Sequence, residues 1–273
     1  MSSLLEISPE KLVRLIGTPK CPALIDVRID QDFDEDPRLL PGSVRRDYRN
    51  VREWAAELDS DSAVVICHRG KKLSCGVAAW LRNYGIAADV LEGGFEAWAE
   101  VGYAAVPASA VPERDASGRT VWVTRARPKI DRIACPWLIR RFVDPQAVFL
   151  YVSPPEVETV AERFAATPFD IDAPIRWSHR GELCTFDVMV EEFGLATEPL
   201  LRLATIVRGA DTSRLDLAPQ APGLLAASLG LSRMYADDIE QLEAGMLLYD
   251  AFYRWCRDAT DETHNWPSPK KDS

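Results

Sequence analysis

The sequence has no CxxC pair, no internal repeat, and no apolar run that reaches the ~18 residues a membrane span needs. Its opening, MSSLLEISPEKLVRLIG, lacks the basic start, long apolar core and small-residue cleavage site of a secretory signal. We therefore expect a cytoplasmic chain with no membrane partner. The six cysteines, Cys21, Cys67, Cys75, Cys135, Cys184 and Cys256, are widely scattered. That excludes the disulfide framework of a small secreted domain, and Cys21, Cys184 and Cys256 are expected to be buried thiols. The net charge is −10 and the pI about 4.9, which disfavours nucleic acid as a partner unless a local basic patch exists. With 47% hydrophobic and 27% charged residues, the chain is neither disordered nor fibrous, and 273 residues suffice for two domains.

The segment 103–119, YAAVPASAVPERDASGR, has no apolar period and reads as a linker. The expected organisation is a first domain at 1–106, a linker at 107–119, a second domain at 120–262 and a frayed tail at 263–273. In the first domain, ALIDV at 23–27 and AVVIC at 63–67 read as buried parallel strands, with a third at 89–91. SPEKLVRLI at 8–16 reads as a helix with a Ser cap and a first-turn proline; another helical face covers 77–84 and stops at Gly85. Alternating β and α elements predict an α/β domain with a parallel sheet flanked by helices. In the second, strands are expected at 121–124 and 147–152, a helix at 136–142, and helices at 155–164, 197–207, 222–229 and 237–257. That makes it a mostly helical α+β domain. Ile239, Leu242, Met246, Tyr249, Phe252 and Cys256 recur at helical spacing and are read as a core face.

Cys67 ends an apolar strand and opens the run CHRGKKLSCGVAAWL. A strand, a tight loop through His68, Arg69 and Gly70, then a helix from about Ser74 would turn a ring of backbone N–H groups toward one point. Those donors and the helix dipole favour an anion, so the thiol should ionise below the free value of ~8.5. Lys71 and Lys72 add positive charge. The plain alternative is a buried strand-end thiol. Cys75 is read either as a small residue packed under the loop or as a resolving thiol able to close a disulfide with Cys67.

Four stretches in order resemble the rhodanese family: LIDVR at 24–28, LLPGSV at 39–44, AVVICHRG at 63–70 and LEGGFEAW at 91–98. The resemblance implies sulfur transfer, in which thiosulfate or another persulfide donor loads Cys67 and an acceptor thiol or cyanide unloads it. It also implies that Asp26 positions Arg28 and the loop. The family pattern Cys-x-x-Gly-x-Arg-Ser is not kept in full, since Lys72 holds the arginine position and Ser74 comes one residue late. Related phosphatases carry a longer loop ending in arginine, but here that position is Leu73, which cannot bind phosphoryl oxygens. The active-site loop is thus expected to run from Cys67 to Leu73. No cofactor is expected.

The stretch 119–141, RTVWVTRARPKIDRIACPWLIRR, holds seven Lys or Arg and one Asp. It reads either as solvated charge or as a pocket for a tetrahedral oxyanion held by paired arginine donors. TRARPKIDRIACPWLIRRFVDPQAVFLYV at 124–152, with ATPFDI, HRGELCTFD and IVRGADTSRLDLAPQAPGLLAASLGLSRMYADD, resembles the C-terminal domain of bacterial chromate-resistance proteins. From that resemblance Arg125, Arg132 and His179 are the candidate oxyanion ligands, with chromate a possible partner. His179, Glu182, Asp187 and Asp211 match no recognised zinc spacing, so no metal site is assigned. Cys135, before Pro136, is placed at a helix start, where a thiol is activated or packed. The reading as a whole is a sulfurtransferase with an oxyanion-binding or oxyanion-sensing domain. The alternatives are a chromate-responsive DNA-binding regulator, opposed by the net charge, and a docking scaffold, which would not need Cys67.

Overall fold

The computed structural model describes residues 5–263, so the expected frayed tail lies almost wholly outside the described residues. The first domain runs β1 (Glu6–Ile7), α1 (Pro9–Val13), β2 (Ala23–Asp26), α2 (Asp30–Glu35), β3 (Arg38–Leu39), β4 (Ser43–Arg45), α3 (Val51–Trp54) and β5 (Ser62–Ile66). It continues with α4 (Lys72–Asn83), β6 (Ala87–Leu91), α5 (Gly94–Val101) and β7 (Val106–Pro107). Five strands form a parallel sheet in the order β1-β6-β5-β2-β4, with β5 at its centre.

Alternation along the central strands sends side chains to two faces. Ile25 and Val65 pack with Val51, Val77 and Leu81 under α3 and α4. Leu24, Val64 and Ile66 face Leu12, Phe95 and Trp98, and that core continues into Trp137, Phe142 and Tyr253 of the second domain. Both faces are covered, as an apolar parallel strand requires. The joining segment is tied down: Ala108 N–H donates to Pro37, and Arg114 pairs with buried Asp144 at 3.2 Å.

The second domain begins with β8 (Val121–Arg125), α6 (Asp131–Phe142), β9 (Val148–Val152), α7 (Val157–Phe164) and β10 (Thr167–Pro168). It ends with α8 (Thr185–Glu192), α9 (Glu198–Asp211), α10 (Ala221–Met234) and α11 (Asp238–Asp258). Its parallel sheet has the order β10-β8-β9. α6 is the axis of the domain, with Ile133, Ala134, Cys135, Trp137, Leu138 and Ile139 all buried.

Three expectations are corrected. The helix expected at 136–142 starts at Asp131, with Pro136 in its interior. Proline cannot donate to the carbonyl four residues back. That carbonyl, of Arg132, instead accepts from Tyr151 Oη at 2.9 Å. Cys135 is therefore a buried mid-helix thiol, not an activated one at a helix start, and burial pushes it well above the ordinary thiol range. α8 was not anticipated; Asp187 caps it by accepting from Cys184 N–H at 3.0 Å. On α11, Ile239 is exposed and Tyr253 takes a place in the core.

Candidate functional sites

Cys67 directly follows β5, at the carboxyl end of the central strand, and is 6% exposed. Its Sγ accepts from Lys71 N–H at 3.3 Å and lies 3.1 Å from the hydroxyl of Ser74, which is wholly buried. The sequence led us to expect a ring of amides; Lys71 is the backbone donor that reaches the sulfur among the described residues. The loop is also shorter than expected. Cys75 N–H donates to Lys71 O, closing the first turn of α4, so Lys72 and Leu73 are helical. Ser74, read as one residue out of place, is the side chain that this early helix start brings to the sulfur.

The loop rests on the Gly93-Gly94 turn. Phe95 N–H donates to Cys67 O at 2.9 Å and Glu96 N–H to His68 O at 3.0 Å. At Gly94, with φ of +65°, a methyl group would overlap the carbonyl oxygens of Cys67 and His68; at Gly70, with φ of +63°, it would overlap Leu91 O. Glu96 also pairs with Arg69 at 3.2 Å and stands 4.0 Å from His68. Lys71 and Lys72 are exposed. Arg28 donates to both oxygens of Asp26, the shortest bond 2.6 Å, and lies 3.7 Å over the Phe95 ring. Both are buried, and they tie β2 to α5 behind the loop. Cys75 is exposed, not packed under the loop.

A second cluster forms at the carboxyl end of β8 and β10, the end of a parallel sheet where ligands commonly bind. Arg125 closes β8, Asp131 opens α6, Asp170 follows β10, and Asp211 ends α9. Arg125, Arg132 and His179 converge there as candidates, yet all three meet carboxylates. Arg132 Nε stands 3.2 Å and Arg125 Nη2 3.6 Å from Asp170 Oδ2. His179 Nε2 stands 3.3 to 3.5 Å from Asp211, Asp170 and Asp131. Contact with Asp170, then Asp211, lifts the imidazole to about 10. Burial, reinforced by Asp211 and Asp170, raises the Asp131 carboxyl well above the usual range. Thr185 ties the acids together, its N–H donating to Asp131 at 2.7 Å and its hydroxyl to Asp170 at 2.9 Å.

Of the acids weighed from sequence as metal ligands, only Asp211 joins His179. Asp187 pairs with Arg208 at 2.8 Å, and exposed Glu182 faces Arg214 at 3.6 Å. Asp131 and Asp170 were missed. The local signal was thin: Asp131 was the single acid in a basic stretch, and Asp170 sits 39 positions further on in ATPFDI. A cleft lined by Arg125, Asp170, Asp172, Ser178 and His179 opens beside the cluster.

Comparison with known proteins matches two parts of the chain to two families. Residues 8–101 match the rhodanese-like domain and residues 122–256 match the ChrB C-terminal domain. The chain is thus a rhodanese-like domain followed by a ChrB C-terminal domain. Protein ChrB of Cupriavidus metallidurans is 35% identical over 148 residues, covering 52% of this chain and 43% of that protein. The chain therefore matches less than half the length of this relative. A rhodanese-related protein from Thermoplasma volcanium is 25% identical, with TM-score 0.32, over 37% of this chain and 96% of its own. A rhodanese-like domain protein from Staphylococcus aureus is 22% identical, with TM-score 0.31, over 35% and 91%. Among the described residues no helix is long and apolar enough to cross a membrane.

Proposed function

We propose that this chain is a chromate-resistance protein whose first domain is a rhodanese-type sulfurtransferase and whose second domain binds or senses a tetrahedral oxyanion. The observation that carries the enzymatic reading is Cys67 at the end of the central parallel strand, its sulfur held by Lys71 N–H and Ser74 Oγ. In the proposed step the Cys67 sulfur attacks the outer sulfur of thiosulfate. The new S–S bond forms as the old one breaks, and sulfite leaves with the bonding pair. The resulting Cys67 persulfide passes its outer sulfur to an acceptor thiol or cyanide. Lys71 N–H stands where it can meet the charge that returns to Sγ as the outer sulfur leaves.

The chromate reading rests on the relation to ChrB and on a cleft lined by Arg125 and His179, with Arg132 behind it on Asp170. Full-length protein incubated with thiosulfate should gain one sulfur by mass spectrometry and release thiocyanate with cyanide, and Cys67→Ser should do neither. An unmodified wild type under the same conditions rejects the enzymatic reading. Calorimetry with chromate and sulfate on wild type, Arg125→Ala and Arg132→Ala tests the oxyanion site. Absence of heat with the wild type rejects that half.

A further inference from the structure

Three carboxylate oxygens gather round one ring nitrogen. Nε2 of His179 has Asp211 Oδ2 at 3.3 Å, Asp170 Oδ1 at 3.4 Å and Asp131 Oδ2 at 3.5 Å. An imidazole carries at most one hydrogen at that atom, enough for one acceptor. The histidine alone does not account for three acids held together against their mutual repulsion. Asp131 is wholly buried, and its Oδ1 has no hydrogen-bond partner among the described residues. A buried carboxylate oxygen left without a donor is costly and calls for a ligand.

We propose that Asp131, Asp170 and His179 bind one divalent transition-metal ion, with Asp211 beside the imidazole. The spacing fits the chemistry. Ligand atoms about 2.1 Å from a common ion at tetrahedral angles stand about 3.4 Å apart, matching the 3.4 and 3.5 Å from Nε2 to Asp170 and Asp131. One atom each from Asp131, Asp170 and His179 can be chosen so that all lie within 4.8 Å of one another. One imidazole with carboxylates suits zinc, manganese or ferrous iron better than the soft cuprous ion. Outer partners that would fix the ligands are in place: Thr185 N–H on Asp131, and Thr185 Oγ1, Arg132 and Arg125 on Asp170. The cleft along Asp170 and His179 gives an ion a path from solvent. The three ligands come from α6, the segment after β10 and the loop before α8, so an ion would pin three parts of the chain at the sheet's carboxyl end.

The test uses full-length protein stripped with EDTA and titrated with zinc chloride and cobalt chloride, with no oxyanion present. This separates it from the oxyanion reading, and Cys67→Ser should bind metal as the wild type does. One zinc per chain is expected by calorimetry, and cobalt should show visible d–d bands. His179→Ala and Asp170→Asn should each weaken zinc binding by at least about 100-fold, since loss of outer partners alone costs about 10–100-fold. Glu182→Gln, an exposed acid outside the cluster, should bind within about twofold of wild type. Because His179 is 41% exposed, its alanine variant should fold even if Asp170→Asn does not. A stripped wild type that takes up neither ion overturns the proposal. So does a folded His179→Ala that binds zinc as tightly as wild type.

Discussion

The sulfur of Cys67 and the hydroxyl of Ser74 lie 3.1 Å apart, and Ser74 Oγ is also 2.9 Å from Lys71 O. The serine thus joins the sulfur to the first turn of α4. Ser74→Ala removes one of the polar contacts to Sγ and keeps Lys71 N–H in place. Thiosulfate-to-cyanide turnover should fall about 10- to 150-fold, a hydrogen bond to a developing anion being worth about 1.5–3 kcal/mol. The measurement is kcat/KM for wild type, Ser74→Ala and Ser74→Thr, the last restoring part of the loss. An unchanged value in Ser74→Ala would remove Ser74 from the transfer step.

Gly94 carries the loop from behind, and no other residue fits there. Gly94→Ala would place a methyl group on the carbonyls of Cys67 and His68 at a φ of +65°. The left-handed backbone alone costs about 1–2 kcal/mol, and the overlap with main-chain oxygens adds to it. Turnover and Tm should both drop, whereas Gly85→Ala, with φ of +85° and open space around it, should lower Tm by strain alone and leave transfer intact. Equal effects at the two glycines would show that Gly94 does not support the loop.

Much of the first domain was legible because strand and helix signals there are local. ALIDV and AVVIC are apolar runs that only a two-faced sheet can bury, and Cys67 stands where such a run stops. What escaped the sequence reading depends on distant partners. Pro136 marked a helix start by local rule, whereas the helix runs through it and the hydroxyl of the distant Tyr151 satisfies the freed carbonyl. The basic reading of 119–141 missed Asp170 because it arrives from another element and meets the arginines and His179 only in three dimensions. In the same way, Cys75 gave no sign in sequence of facing outward.

A buried ion pair joins α6 to α11. Arg141 donates to both oxygens of Asp250 at 2.7 and 2.8 Å, and Trp137 Nε1 donates to Asp250 at 2.8 Å. Asp250 is 7% exposed at its side chain, so Arg141→Ala leaves a nearly buried carboxylate with one neutral donor. Breaking such a pair costs about 3–5 kcal/mol. Urea unfolding of Arg141→Ala should show a loss of that order, while Arg38→Ala, whose exposed pair with Asp36 is worth about 0–1 kcal/mol, should unfold near the wild-type midpoint. Comparable midpoints for the two variants would mean the interior pair contributes no more than the surface one.

The remaining thiols differ in how far they resist ionisation. Burial pushes Cys21 from an ordinary 9.0 to about 12 despite Arg141 nearby, and Cys256 to about 11 despite Arg202. Cys135 and Cys184 are wholly buried and raised well above that ordinary value, whereas Cys75 is exposed. At pH 8 a bulky disulfide reagent should therefore label Cys75 well ahead of these four, and Cys75→Ser should remove that fast phase. The same groups set an alkaline limit on stability. Above pH 9 the unfolded chain gives up thiol protons that the folded chain retains, so the folded state binds more protons and its stability falls as pH rises. The decline should run from about pH 9 toward the folded values near 11 and 12. Urea midpoints at pH 8, 9 and 10 check the sign, and Cys21→Ala should flatten the slope. A midpoint that rises over this range would contradict the burial of these thiols.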